Sequence, residues 1–203
     1  MDKALVRGRT ALGLLARLAL GACLLALLAP GAAQARDAAP TRPAFTLISP
    51  TLRDGVEAAQ LYDGPGCGGG NVSPVMQWSG LPPGTRSLAL TLFDRDARGG
   101  AGWWHWAVLD IPASASGLPL GAGSASGQGL PRGARQLRTS FGSKAYGGPC
   151  PPPGSGVHHY EFTLWALPVA TLSLPAGAGA AELAARAAAA AIGHARLQVR
   201  FGR

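Results

Sequence analysis

A chain of 203 residues has the length of one domain with room for a tail, and its 47% hydrophobic content is enough to fill a packed core. Thirty glycines and 17 prolines favour many turns over long helices. The formal charge of +8 is mildly basic and comes without a Lys/Arg run or a recognition helix, which argues against a nucleic-acid partner.

Residues 1–17 carry Lys3, Arg7, Arg9 and Arg17, residues 18–29 are an apolar run, and Ala33-Gln34-Ala35 has the small-x-small form of a cleavage site. Together these predict a secretory signal peptide over residues 1–35, cut after Ala35. The apolar run is too short to span a bilayer comfortably, so no integral span is expected in the mature chain. Leu20-Gly21-Ala22-Cys23 resembles a bacterial lipobox, but residues 24–29 stay apolar beyond the cysteine. Soluble export to the periplasm or the medium is therefore preferred over lipidation at Cys23. Residues 36–44 are small, charged and Pro-containing, the composition of a disordered leader, and the folded domain is expected over residues 45–203. Export leaves an even pair, Cys67 and Cys150, which in an oxidising compartment reads as a disulfide. Such a bond would stabilise the fold by about 4 kcal/mol in the chain-entropy account.

In the domain itself, residues 45–48 read as a first strand and 56–61 as a second. Residues 63–71 are a turn-rich loop. Its Gly64-x-Gly66-x-x-Gly69 has dinucleotide-fingerprint spacing, but Val72-Ser73-Pro74 follows where a helix is needed, so no cofactor is implied. Residues 75–78 form a short strand and 81–84 a turn. Residues 87–93 alternate cleanly: Leu88, Leu90 and Leu92 point one way, and Ala89, Thr91 and Phe93 the other. Further strands are expected at 104–111, 160–167 and 196–201. Residues 114–135 read as surface loop and the Ala-rich stretch 179–192 as the one helix. Many strands and one late helix predict a mostly β chain, an antiparallel β-sandwich with a C-terminal helix and a final strand.

Two stretches concentrate the chemistry. Asp94-Arg95-Asp96 ends one strand, and after a Gly-rich loop Trp103-Trp104-His105-Trp106 opens the next. Far along the chain, residues 146–160 carry Pro151-Pro152-Pro153, His158, His159 and Tyr160. Residues i and i+2 of a strand share a face, so Asp94 with Asp96 and His158 with Tyr160 can face one site while His159 points away. Trp103 or Trp104 would form a wall. Carboxylates favour charged imidazoles, and two imidazolium groups with a phenol would donate to phosphate oxygens. A carboxylate and a tryptophan face can hold an ammonium. The proline run fixes the backbone of a preformed pocket.

These motifs stand in a familiar order. Asp94-x-Asp96-Ala97, Gly102 to Trp106, Cys150-Pro151-Pro152 and Gly156-x-His158-x-Tyr160, with Asn71-x-Ser73-Pro74 and Trp78, resemble the phosphatidylethanolamine-binding protein (PEBP) family over residues 45–201, in particular its exported, bacterial Raf-kinase-inhibitor-like branch. The resemblance implies a two-sheet β-sandwich and a non-catalytic pocket for a small anion or phosphate ester. Its ligand-binding residues would be Asp94, Asp96, Trp103, His105, Pro152, His158 and Tyr160. Exported members carry a cysteine pair like Cys67 and Cys150. The chain departs from the family where Arg95 and Arg98 replace two prolines and His159 an arginine, which favours a smaller anion over a phospholipid. Rival readings are a protein-inhibitor module acting on a protease or kinase, an Asp/His hydrolase with Ser155 near His158, and a metal site. The hydrolase lacks a Gly-x-Ser-x-Gly elbow and the metal site lacks paired-ligand spacing.

Overall fold

The computed structural model describes residues 43–53 and 55–203. The expected signal peptide and all but the end of the leader lie outside the described residues. Among the described residues eight strands follow in chain order: β1 (Thr46–Ile48), β2 (Met76–Ser79), β3 (Ser87–Asp94), β4 (Trp103–Pro112), β5 (Gly117–Leu118), β6 (Arg135–Gln136), β7 (Val157–Leu167) and β8 (Gly193–Gly202). One helix, α1 (Ala180–Ala190), joins β7 to β8. All strand pairs are antiparallel and form two sheets, ordered β1-β2-β5 and β6-β4-β3-β7-β8.

The alternation of β3 sets the layering. Leu88, Leu90 and Leu92 enter a core shared with Leu47, Met76 and Trp78 of the small sheet. Ala89 looks the other way, into a second core with Ala107, Leu109 and Leu167, which α1 closes through Ala180, Leu183 and Ala187. The larger sheet is thus buried on both faces, which explains why β3 is nearly continuous in apolar residues. Fully burying one such leucine contributes about 1.5–3 kcal/mol.

The mostly β, two-sheet fold agrees with the expectation from sequence, with three local differences. Residues 56–61 are not a strand; they contain a single 3-10 turn, Ala58–Gln60, and the carbonyls of Ala58, Ala59 and Leu61 accept from the backbone of the 70–72 loop, not from a strand. The loop over 114–135 contains β5, which pairs with β2 through Gly117 and Leu118. Strands β4, β7 and β8 each begin earlier than their apolar runs, because polar and Gly positions still complete the ladder. The extra residues of β4 and β7 are those that reach the site. Among the described residues no helix is long and apolar enough to cross a membrane.

Candidate functional site

Register brings the two chemical stretches together. Asp94, the last residue of β3, pairs with Trp103 on one side and Tyr160 on the other. His158 lies two residues before Tyr160 and shares its face. His105 arrives differently. Leu92 pairs with Trp106 and Phe93 with Trp104, so His105 is an extra residue in β4 with no partner on β3. A bulge of this kind re-aims a side chain. Trp106 and Val108 join the inter-sheet core, whereas Trp104, Ala107 and Leu109 pack on the helix side. The His105 ring meets Tyr160 edge-on, with centroids 5.2 Å apart.

The pocket mouth is shaped by two glycines. A Cβ at Gly102 (φ +81) would run into the Phe93 ring, and one at Gly148 into the backbone of Gln60 and Leu61. The close approach at Gly148 seats residues 146–150 against the 60–71 loop. Gly148 N–H donates to Asn71 Oδ1 (2.8 Å), Tyr62 N–H to the Pro149 carbonyl (3.2 Å), and Tyr146 Oη–H to the Gln60 carbonyl (2.9 Å). The Cys67–Cys150 disulfide, with Cα atoms 5.8 Å apart, joins the same two walls. The Arg203 guanidinium adds hydrogen bonds to the carbonyls of Pro151 and Gly66.

The result is a cavity of about 720 Å³ at one end of the larger sheet. All seven residues expected for the site line it. Trp103, not Trp104, forms the tryptophan wall; Trp104 stacks on Phe93 (4.3 Å) on the opposite face. Phe141 is a wall the sequence did not reveal, with its ring edge-on to Trp103 (5.4 Å) and His105 (5.3 Å). It stands alone in a Gly/Ser stretch with no periodic neighbour. A shallower hollow of about 500 Å³ on the small sheet has no ionisable side chain in its lining and offers no comparable chemistry.

Asp94 is buried and uses both oxygens. Oδ1 accepts from the N–H groups of Asp96 (2.9 Å) and Ala97 (3.2 Å), which starts the turn Ala97–Gly100. Oδ2 lies 2.6 Å from His158 Nδ1. His158 Nε2 lies 3.1 Å from Ser155 Oγ, and that hydroxyl is 2.7 Å from the Pro152 carbonyl. A carbonyl only accepts, so the single hydroxyl hydrogen of Ser155 goes to Pro152. Ser155 Oγ must then accept from His158 Nε2, while Nδ1 donates to the Asp94 carboxylate. Asp94 and Ser155 thus engage both ring nitrogens of His158 and fix the plane of the ring.

His105 departs from the expected pair of imidazolium groups. Its Nδ1 donates to the Gly147 carbonyl at 2.7 Å. Burial lowers its pKa to about 4, against the smaller upward pull of the Gly147 carbonyl and Asp94. The ring is neutral near pH 7, with Nε2 left as an acceptor. Asp96 lines the same cavity as Asp94 but far less deeply. It sits at the rim, where its Oδ2 accepts from the His159 backbone N–H (2.6 Å) and Nδ1 (2.9 Å). Slight burial pushes the Asp96 pKa up, but the two His159 hydrogen bonds and the charges of His159 and Arg95 outweigh it and leave the pKa lowered. His159, expected to point away, is therefore the partner of Asp96.

Tyr160 lies 1% exposed beneath the cavity, and its hydroxyl makes no well-formed hydrogen bond, its nearby acceptor being the Asp94 carboxylate already engaged through both oxygens. Burial and then the nearby Asp94 charge push its pKa well above the usual phenol range, so it remains a donor. A buried hydroxyl left unpaired costs about 1–3 kcal/mol.

Comparison with known proteins places this architecture. The profile of the family described as phosphatidylethanolamine-binding protein matches residues 51–202. The UPF0098 protein YbcL of Escherichia coli (strain K12) is 48% identical over 126 residues, which cover 61% of this chain and 69% of its own. LppC of Mycobacterium tuberculosis, whose name marks it as a candidate lipoprotein, is 42% identical over 159 residues, covering 78% and 73%. The crystal structure of Escherichia coli YbcL, described as a member of the mammalian PEBP family, aligns with a TM-score of 0.74 at 38% identity. That alignment covers 78% of this chain and 98% of YbcL. The chain belongs to the phosphatidylethanolamine-binding protein family.

Proposed function

We propose that this protein binds a small phosphate ester in the Asp94/His158/Tyr160 pocket without turning it over. The observation that carries the reading is the Tyr160 hydroxyl: buried, held protonated beside Asp94, and without a well-formed hydrogen bond in the protein. A phosphate oxygen supplies the missing acceptor. His158 Nε2–H faces the same cavity beside Ser155, where a ligand oxygen can take the place of the hydroxyl. The neutral His105 Nε2 is matched to a protonated phosphate oxygen, so the three groups suit the monoanion. Asp94 holds the His158 ring in place through the 2.6 Å contact to Nδ1.

The Asp94–His158–Ser155 chain has the connectivity of a nucleophilic relay. Its hydrogen directions are the reverse of what that chemistry needs, because a general base must accept from the serine. Ser155 gives its hydrogen to the Pro152 carbonyl, so it serves as a stop for the ring. Export from the cytoplasm fits the reading: the disulfide needs an oxidising compartment, and a relative carries a lipoprotein name.

Isothermal calorimetry with ethyl phosphate tests the proposal. Tyr160→Phe should weaken binding by about tenfold, the worth of one hydrogen bond to a charged group. His158→Ala should weaken it further. Equal affinity in wild type and both variants would overturn the assignment.

A further inference from the structure

We infer that Arg98 makes this pocket discriminate against ligands that carry an ammonium, so that it selects phosphate monoesters whose organic part is uncharged. The inference rests on the phosphate-binding reading above and adds a specificity to it.

A pocket that accepts a phosphorylated amine needs a seat for the cation. An aromatic face and a free carboxylate are the groups that make one. This pocket has both kinds of group, but the aromatic face is covered and the rim acid is already engaged through one oxygen. The Trp103 face is covered by Arg98, whose guanidinium carbon lies 4.3 Å from the ring centroid. The rim carboxylate, Asp96, is bound by the backbone and ring nitrogens of His159. The remaining carboxylate, Asp94, is buried and hydrogen-bonded through both oxygens. A ligand ammonium would meet a like charge on the tryptophan, and the one acid at the rim, Asp96, already has its Oδ2 engaged by His159.

The backbone explains why Arg98 lies there. It adopts φ +54, in the left-handed region, and is followed by Gly99 at φ +67. A proline, held at φ near −65° and without freedom to leave it, could not take this turn. Among the described residues Arg98 has no carboxylate within ion-pair distance. Its guanidinium donors stay available at the mouth for an anionic group entering the cavity that it lines.

The test compares ethyl phosphate with phosphocholine, which share the phosphate and differ by the cation. Wild type should bind ethyl phosphate about fivefold or more tightly. Arg98→Asn removes the charge and suits the left-handed backbone, and it should bring the two affinities to parity or reverse their order. Adding Trp103→Leu should then remove the affinity gained for phosphocholine, a loss that a purely electrostatic effect of Arg98 would not produce. Flotation with vesicles distinguishes a lipid from a free ester. Capture of phosphatidate vesicles without phosphatidylcholine vesicles would support the same selectivity on a membrane, and equal capture would contradict it. If wild type binds both small esters equally, or Arg98→Asn keeps the preference, the inference fails and the phosphate reading stands. If neither ester binds wild type, both fail.

Discussion

At the scale of single residues, the two pocket histidines do different work because their surroundings differ. His158 donates through both nitrogens, to Asp94 and to Ser155. His105 is 3% exposed, gives Nδ1–H to a carbonyl, and is held neutral by burial. That neutrality has a stability consequence. The pKa of His105 falls from 6.5 in the unfolded chain to about 4 in the fold. Between those values the unfolded state binds the extra proton, so stability is complete above about pH 6.5 and is lost as pH falls toward 4. The loss reaches about 3 kcal/mol. Urea unfolding at pH 7 and pH 4.5 should show it, and His105→Gln should flatten the slope over that interval. An unchanged slope in the variant would assign the acid sensitivity elsewhere. The sequence showed which residues carry chemistry here. It did not show their protonation, because His105 is held neutral by burial, which depends on segments far along the chain that pack against the ring.

At the scale of elements, the strands were the most legible part of the chain. The Leu88/Leu90/Leu92 alternation places these residues in the inter-sheet core as expected. The spacing of His158 and Tyr160 puts both beside Asp94 through the β3–β7 register. The β4 bulge was not legible. Trp103 to Trp106 carry no mark of where a ladder skips a residue, since that depends on what β3 offers opposite them. Nor was the back-folding of Arg98 over Trp103, which needs a positive φ that arginine seldom adopts.

The walls of the pocket are loops, and loops of this length hold their shape only when tied. Here the Cys67–Cys150 bond spans 83 positions and joins two of them. Reduction should lower the unfolding free energy by about 4 kcal/mol in the chain-entropy account. It should also weaken ethyl phosphate binding, since Pro151 and Pro152 follow Cys150 directly in the lining. A stability loss with unchanged affinity would separate the bond from the pocket. The measurement is a urea midpoint and a titration, each with and without reductant.

At the scale of the whole molecule, one arrangement accounts for the layering and the site together. A central strand buried on both faces ends in a carboxylate, and its two neighbours in the sheet begin with the aromatic and imidazole groups. The small sheet and α1 cover the two faces of the larger sheet, leaving this end to be walled by loops. The central claim is that the end so formed holds a phosphate ester through Tyr160 and His158. A crystal structure of the protein with ethyl phosphate at saturating concentration tests it most directly. The account predicts phosphate oxygens within about 2.6–3.2 Å of Tyr160 Oη and His158 Nε2. A phosphate found only elsewhere, such as the basic hollow beside Arg138 and Lys144, with the Tyr160 hydroxyl still unpartnered, would contradict it.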